Sequence, residues 1–427
     1  MSEQIIHAGP DLHLALSIRR VSFCLRWEQL FGLAARRNPR RAFLFVSRVL
    51  GKHLVMPPHR LLAAAKLLAL EYTGQSGADD CLRLLDDAAS FEECAARLAA
   101  TRAPVTAAER TLFIGFAETA TGLAQALANS FRGEIAYVHT TRLVLPGERA
   151  LEFTENHSHA SEHYLYLEPG VDFLASCQQA AFIDDELTTG RTVLAGIRAL
   201  HAAYGLRRFL IFSLLDWRDP AALRAQSDLA AELGLEIHAF SLLQGDFREI
   251  GGRAEPATAP TATGIMADYR GLPGTGYATL DLSALSLPGG RHPLRAEALA
   301  AQPELCFQAA AALKDSLPLG GGPALYIGTG ELIYAPLLCA GYLGGGDFHS
   351  TTQSPIVPLA GSAIENGVCF DPPDTYSRVG YLYNVPRGRY SQAVIFAEKK
   401  LTRERGLGQL ARYFRDRGIG RVTAVLL

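Results

Sequence analysis

The sequence predicts an α/β protein: a parallel sheet flanked by helices, followed toward the C terminus by a second, degenerate α/β copy. Three observations predict it. The first is the stretch 180–205, where the apolar run Ala180-Ala181-Phe182-Ile183 ends in two adjacent carboxylates, Asp184 and Asp185. A short Thr/Gly loop follows. Val193, Leu194, Ile197, Leu200 and Tyr204 then recur at helical spacing until Gly205, where a helix stops. The second is a pair of further apolar runs, Thr111–Gly115 and Phe209–Leu215, that read as buried strands. The third is that landmarks of the first half return in the same order in the second.

In an open α/β sheet, ligands bind beyond the carboxyl ends of the strands. A helix N terminus entered through Thr and Gly offers backbone N–H groups and a positive dipole end, which suit a phosphate. Asp184, Asp185 and the loop Thr188-Thr189-Gly190-Arg191-Thr192 are therefore the first candidate site.

A chain of 427 residues holds about two domains. With 48% hydrophobic and 20% charged residues it can bury a large core. A net charge of −2 offers no broad basic surface for nucleic acid. The seven cysteines form no CxxC pair, which argues against a disulfide framework or zinc ribbon and fits a reducing cytoplasm. No apolar run reaches the ~18 residues of a membrane span, and no secretory pattern opens the chain.

In chain order, residues to about Pro58 mix arginines with aromatics; Arg48, Lys52 and His53 are either solvated or a basic lip over an anionic substrate. Leu61 to Ala100 reads as scaffold helices. Thr111–Gly115 leads through Phe116-Ala117-Glu118-Thr119 into an Ala/Leu helix, and Gly115 lets backbone approach a ligand closely. Glu118 repels a phosphate, so it is expected to hold Mg²⁺ or a basic side chain. Ala136–Arg142 is a strand ending in polar residues. His157, His159 and His163 then lie among glutamates, which leaves a metal site, a polar loop or a lid open. After the strand at 209–215, Asp216 and Trp217 either contact a ring or pack at an edge. Glycines and prolines punctuate 244–293 as a linker would.

The repeat is read from offsets. Gly115 and Gly328 stand 213 residues apart, Thr141 and Thr352 211, Tyr164 and Tyr381 217, Asp184 and Ala397 213, and Arg208 and Arg421 213. The second copy has lost chemistry. Ala397 stands for the first acid, leaving Glu398, and Thr402-Arg403-Glu404-Arg405 stands for the Thr-Gly-Arg-Thr loop.

Phe182-Ile183-Asp184-Asp185 followed by Thr188-Thr189-Gly190-Arg191-Thr192 resembles the signature of type I phosphoribosyltransferases. The wider chain, including Thr352-Gln353-Ser354-Pro355, resembles a bacterial family in which such a domain is fused to one named for a Thr-Arg-Ser-Pro (TRSP) motif. That family is associated with tellurium-resistance and stress gene clusters and with a nucleoside-like metabolite. Gln353 in place of Arg removes a charge-assisted anion contact.

The resemblance implies a catalytic unit at 1–245 with an N-terminal hood, a linker at 246–295 and a TRSP-type unit at 296–427. It implies phosphoribosyl transfer from 5-phosphoribosyl 1-pyrophosphate (PRPP) to a small base, or the reverse, with Mg²⁺ held on the PRPP. Asp184 and Asp185 would bind the ribose hydroxyls and, through PRPP, the metal. Thr188 to Thr192 would hold the 5′-phosphate. Gly115, Phe116, Ala117, Glu118 and Thr119 would approach the pyrophosphate. Arg142, His157 and His159 would serve a closing lid, and Asp216 and Trp217 the base. Thr188 places the loop closer to the orotate type than to the purine type, which carries Asp there. A homodimer and partner enzymes of the same gene cluster stay open, as do a nucleotide-binding regulator and a scaffold.

Overall fold

A computed structural model of the protein describes residues 3–9, 12–36, 41–86, 91, 93–94, 96, 103–104, 109–145, 150–153, 163–167, 171–250, 265–317, 321–375 and 378–427. The central strands of the N-terminal sheet are apolar runs that no alternation breaks, as expected of strands buried on both faces, whereas Glu236–Glu249 toward the edge opens on alternating exposed and half-buried residues. Five run parallel, in the spatial order Glu236–Glu249, Arg208–Asp216, Gln179–Leu187, Thr111–Gly115 and Ile135–His139. His13–Val21 and Gln4–His7 extend one edge antiparallel, and Leu294–Arg295 closes the other.

Strand geometry sends alternate side chains to opposite faces. Ala180 and Phe182 accordingly join one core cluster, with Val193, Ile197 and Leu200 of helix Arg191–Tyr204. Ala181 and Ile183 join the other, with helices His59–Thr73 and Thr121–Ala128. Gly196 permits the close approach of the first helix, because a Cβ there would lie 2.8 Å from the Phe182 ring. That helix starts and stops where the sequence predicts, capped by Gly205 at φ 69°.

The C-terminal half has its own parallel sheet, ordered Ala278–Asp281, Arg421–Leu426, Gln392–Ala397, Ala324–Gly328, Gly346–Ser350. Its last four strands repeat the order of the strands starting at 208, 179, 111 and 135. The helices Tyr334–Leu343 and Glu404–Asp416 follow the strands that match Thr111–Gly115 and Gln179–Leu187. Among the described residues, no helix is long and apolar enough to cross a membrane.

The stretch expected as a linker carries more structure than its glycines and prolines suggest. Ile265–Asp268 pairs with Asn366–Phe370, Ala278–Asp281 with Arg421–Leu426, and Leu294–Arg295 with the N-terminal sheet. The first two are largely exposed edge strands. Strands of this kind are held by backbone bonds to an existing sheet and need no apolar run to announce them. The N-terminal hairpin Phe31–Arg36 and Phe43–Ser47 likewise pairs across the molecule with Ile356–Val357.

Candidate active site

The parallel register brings three strand ends to one edge: Ile183 lies opposite Gly115, and Gly115 opposite His139. Asp184 and Asp185 project from that edge, half-buried, with the Asp185 amide donating to Asp184 Oδ1 at 3.0 Å. Neither carboxylate is ion-paired among the described residues. Burial, then the neighbouring Asp185 charge, pushes the Asp184 carboxyl well above the ordinary carboxylate range. Burial raises Asp185 as well, against the opposing pull of Arg41 and Lys52. Carboxylate oxygens at a strand end without an ion-pair partner suit sugar hydroxyls and a hydrated divalent cation, so the donor set fits Mg²⁺ carried by a ligand. No cluster of three or more His, Cys, Asp or Glu capable of holding a metal unaided occurs among the described residues.

The strand continues to Leu187, and Thr188-Thr189-Gly190 turn into helix Arg191–Tyr204. Gly190 adopts φ 67°, a left-handed conformation that favours glycine. Thr189 Oγ1 accepts from the Arg191 amide at 3.4 Å, and Arg191 itself is exposed. Thr188 and Thr192 are half-buried. The loop thus leads through a left-handed Gly190 directly into a helix N terminus.

The second loop packs tightly. A Cβ on Gly115 would lie 2.6 Å from that of Ala124. The Phe116 amide donates to Ile183 O at 3.0 Å and the Ala117 amide to Thr140 Oγ1 at 2.9 Å. The Phe116 ring stacks on Phe182 and lies in the core, and its carbonyl accepts from the Ala120 amide at 3.1 Å. Thr119 is half-buried. Glu118 is ion-paired with Lys52, which is 1% exposed and also donates to Gly330 O at 2.8 Å. Glu118 thus holds a basic side chain, one of the two roles expected of it.

A basic hood covers the acidic edge. Arg41 donates to Glu186 Oε1 at 2.6 Å and lies over the rings of Phe43 and Phe45. Burial, with Arg41 and Arg142 nearby, lowers the Arg36 pKa. Arg142 is exposed, and its amide donates not to the N-terminal half but to Glu331 Oε1 at 3.2 Å. His157 and His159 lie outside the described residues. His163 stacks on Phe153 and contacts Thr140 Oγ1 at 3.2 Å; burial drops its pKa to about 4, which makes it a neutral packing group.

Asp216 and Trp217 sit away from the expected role. Arg218 Nε and Nη2 grip the Asp216 carboxylate at 2.8 and 2.6 Å. Trp217, 3% exposed, stacks on Phe45 at 4.9 Å and meets Phe31 and Phe247 edge-on, so its faces are occupied by the core. The packing alternative describes it, because an aromatic next to an apolar hairpin gains more from burial than from solvent.

Sequence reading missed the contacts between halves. Glu331 accepts from Thr141 Oγ1 at 2.9 and 2.8 Å and from Arg291 Nε at 2.9 Å. Burial works to raise the Glu331 pKa, but Arg291, His139 and Thr141 outweigh it and hold the carboxyl below its ordinary value. Arg291 also pairs with Glu398, the acid that remains in the second copy. One signal was available: Gly51-Lys52-His53 and Gly290-Arg291-His292 are a repeated tripeptide, and each places a buried cation on a loop glutamate.

The sequence was also compared with known proteins. No curated protein matches it. Adenine phosphoribosyl transferase from Trypanosoma brucei is similar at 10% identity and a TM-score of 0.33, over 62% of this chain and 94% of that one. The Rhodothermus marinus enzyme is 16% identical with a TM-score of 0.30, over 51% and 95%. That from Leishmania tarentolae is 13% identical with a TM-score of 0.30, over 50% and 84%. The family model described as "Phosphoribosyl transferase" matches residues 30–246, and the "TRSP domain C terminus to PRTase_2" matches 288–413. The chain therefore belongs to the phosphoribosyl transferase family whose catalytic-type domain is followed by a TRSP domain.

Proposed function

We propose that the protein is an Mg²⁺-dependent phosphoribosyltransferase that exchanges the pyrophosphate of PRPP for a base-like nitrogen nucleophile, or runs the reverse, within the synthesis of a nucleoside-like metabolite. One observation carries the reading. A carboxylate couple without an ion-pair partner among the described residues, Asp184-Asp185, ends a buried parallel strand and is followed by a left-handed Gly190 that opens a helix. Asp184 and Asp185 accept hydrogen bonds from the ribose hydroxyls. Thr188, Thr189, Gly190, Arg191 and Thr192 enclose the 5′-phosphate at the helix N terminus. The backbone of Gly115 to Thr119 lines the pyrophosphate. Mg²⁺ bound with PRPP supplies charge neutralisation for the leaving group. The C1–oxygen bond to pyrophosphate breaks as the nitrogen attacks. To Arg142, His157 and His159 this reading assigns the task of shielding the cationic sugar from water.

Titrating Mg–PRPP into the wild type and into the Asp184→Asn/Asp185→Asn double variant, then assaying pyrophosphate release with candidate bases, tests this. The wild type should bind and turn over one base class, and the variant should do neither. Failure of the wild type to bind sinks the proposal. Binding without turnover on any base supports a PRPP-sensing regulator instead, because Glu118 is already committed to Lys52.

A further inference from the structure

The two halves exchange equivalent contacts. Thr140 and Thr351 each receive the amide of the facing glycine-loop residue, Ala117 or Gly330, at 2.9 Å. Thr141 pairs with Tyr164 and Thr352 with Tyr381 in the same antiparallel bridge. The Tyr166 hydroxyl accepts from the Leu145 amide, and the Tyr383 hydroxyl from the Ile356 amide. The turn after each of these threonines crosses to the other half. Arg142 donates its amide to Glu331, and Gln353 donates its amide to Glu118 Oε2, both at 3.2 Å. Equivalent turns are therefore traded, and the turn that meets the N-terminal loop comes from the C-terminal half.

The consequence concerns Gln353. Glu118 belongs to the loop proposed to line the pyrophosphate, and its other oxygen holds Lys52, whose charge reaches Asp185. Gln353 is half-buried at this junction, and its side-chain amide makes no hydrogen bond among the described residues. The strand that leaves the turn, Ile356–Val357, pairs with the hairpin whose Arg41 grips Glu186, next to the acidic couple. The equivalent ground in the C-terminal half is filled by Arg291, which is ion-paired with both Glu331 and Glu398. An anion there would have to displace an internal salt bridge.

We infer that the Thr352-Gln353-Ser354-Pro355 turn is a wall of the site built on the N-terminal half, and that the Gln353 side-chain amide donates to the pyrophosphate portion of the ligand. The inference rests on the PRPP reading above. It makes the C-terminal half a supplier of one ligand contact to a composite site. A neutral amide donates a weaker bond to an oxyanion than a guanidinium, which would be charge-assisted and bidentate.

The test is calorimetric titration of the full chain, as wild type, Gln353→Ala, Gln353→Arg and Asp184→Asn/Asp185→Asn, with Mg–PRPP and separately with ribose 5-phosphate, which lacks the pyrophosphate. Gln353→Arg should tighten Mg–PRPP by about tenfold, and Gln353→Ala should weaken it about three- to tenfold. Neither should move the ribose 5-phosphate constant. The Glu118 contact uses the Gln353 backbone, so both variants keep it. Should Gln353→Ala fail to fold, Gln353→Arg alone decides. Equal Mg–PRPP constants for wild type and folded Gln353 variants, with binding lost in the acidic double variant, overturn this inference and leave the PRPP reading standing. Parallel shifts with ribose 5-phosphate overturn it too. No binding by wild type removes the PRPP reading and this inference with it.

Discussion

The strands within 111–216 and those within 324–426 lie in the same spatial order and differ in what happens at the strand ends. In the first, Asp184 and Asp185 stand without an ion-pair partner among the described residues, and Gly190 leaves the helix entrance open. In the second, Ala397 is buried where the first acid would be, Glu398 and Glu331 are tied to Arg291, and helix Glu404–Asp416 opens on Arg403 and Glu404 without glycine. The first arrangement costs stability, because half-buried carboxylates without ion-pair partners repel each other and are partly stripped of water. The second satisfies its charges and has nothing left to offer a ligand. The comparison teaches that one framework can serve as a site or as a brace, depending on whether its carboxylates are neutralised from within.

Breaking the brace should have the largest effect. Arg291→Met leaves Glu331 buried without its guanidinium, and such a loss costs about 3–5 kcal/mol. Chemical denaturation should show that drop, and an unchanged midpoint would mean the pair contributes no brace. Next comes the open site. Asp184→Asn/Asp185→Asn should weaken Mg–PRPP at least ~100-fold by calorimetry, whereas Glu398→Gln should leave its affinity unchanged.

Gly190→Ala forces a left-handed backbone on alanine and sets its Cβ 3.2 Å from Arg218 Cδ. It should cost about 1–2 kcal/mol in urea denaturation and weaken ribose 5-phosphate binding. The second copy carries Arg403 at the matching position, 213 residues on. Arg403→Ala should leave ligand binding alone.

A smaller effect distinguishes the halves by pH. Asp184 has its folded pKa raised, so the folded state holds a proton that the unfolded chain releases. The stability this carries is present at acidic pH, below the unfolded value near 4, and is lost as pH rises through the higher folded value. Asp184→Asn should therefore raise the melting temperature at neutral pH by on the order of 2–4 °C, a gain that vanishes toward pH 4. Glu331 is shifted down, so Glu331→Gln should destabilise at neutral pH and lose that penalty as pH falls through the folded pKa. At the small end, the exposed Arg198–Glu232 pair at 2.9 Å is a control: Arg198→Ala should leave the denaturation midpoint where it is in the wild type.

The parts legible in the sequence are those whose causes lie within a few residues. The strand ending in Asp184-Asp185, the Thr/Gly loop and the helix that stops at Gly205 were all read from local spacing, and the structure has them at those positions. The copy order was legible because apolar runs recur near one offset. Trp217 was ambiguous for a physical reason: an indole beside a strand end serves a ligand or a core equally well until the hairpin at 31–47 is placed over it. The edge strands at 265–268 and 278–281 hid among glycines and prolines because backbone pairing leaves no apolar signature.

Spacing along the chain carries the α/β class, the acidic couple, the Thr/Gly loop and the loss of both from the second copy. Local chemistry suffices for these, since strand burial, helix capping and glycine's left-handed freedom each act over a handful of bonds. Only the tertiary structure decided that Glu118 holds Lys52, that Arg142 and Gln353 change places between halves, and that Arg291 fills the second site. Those pairings join residues up to 235 positions apart (118 and 353), and a Coulomb or hydrogen-bond partner at that separation is chosen by packing, not by any pattern along the chain.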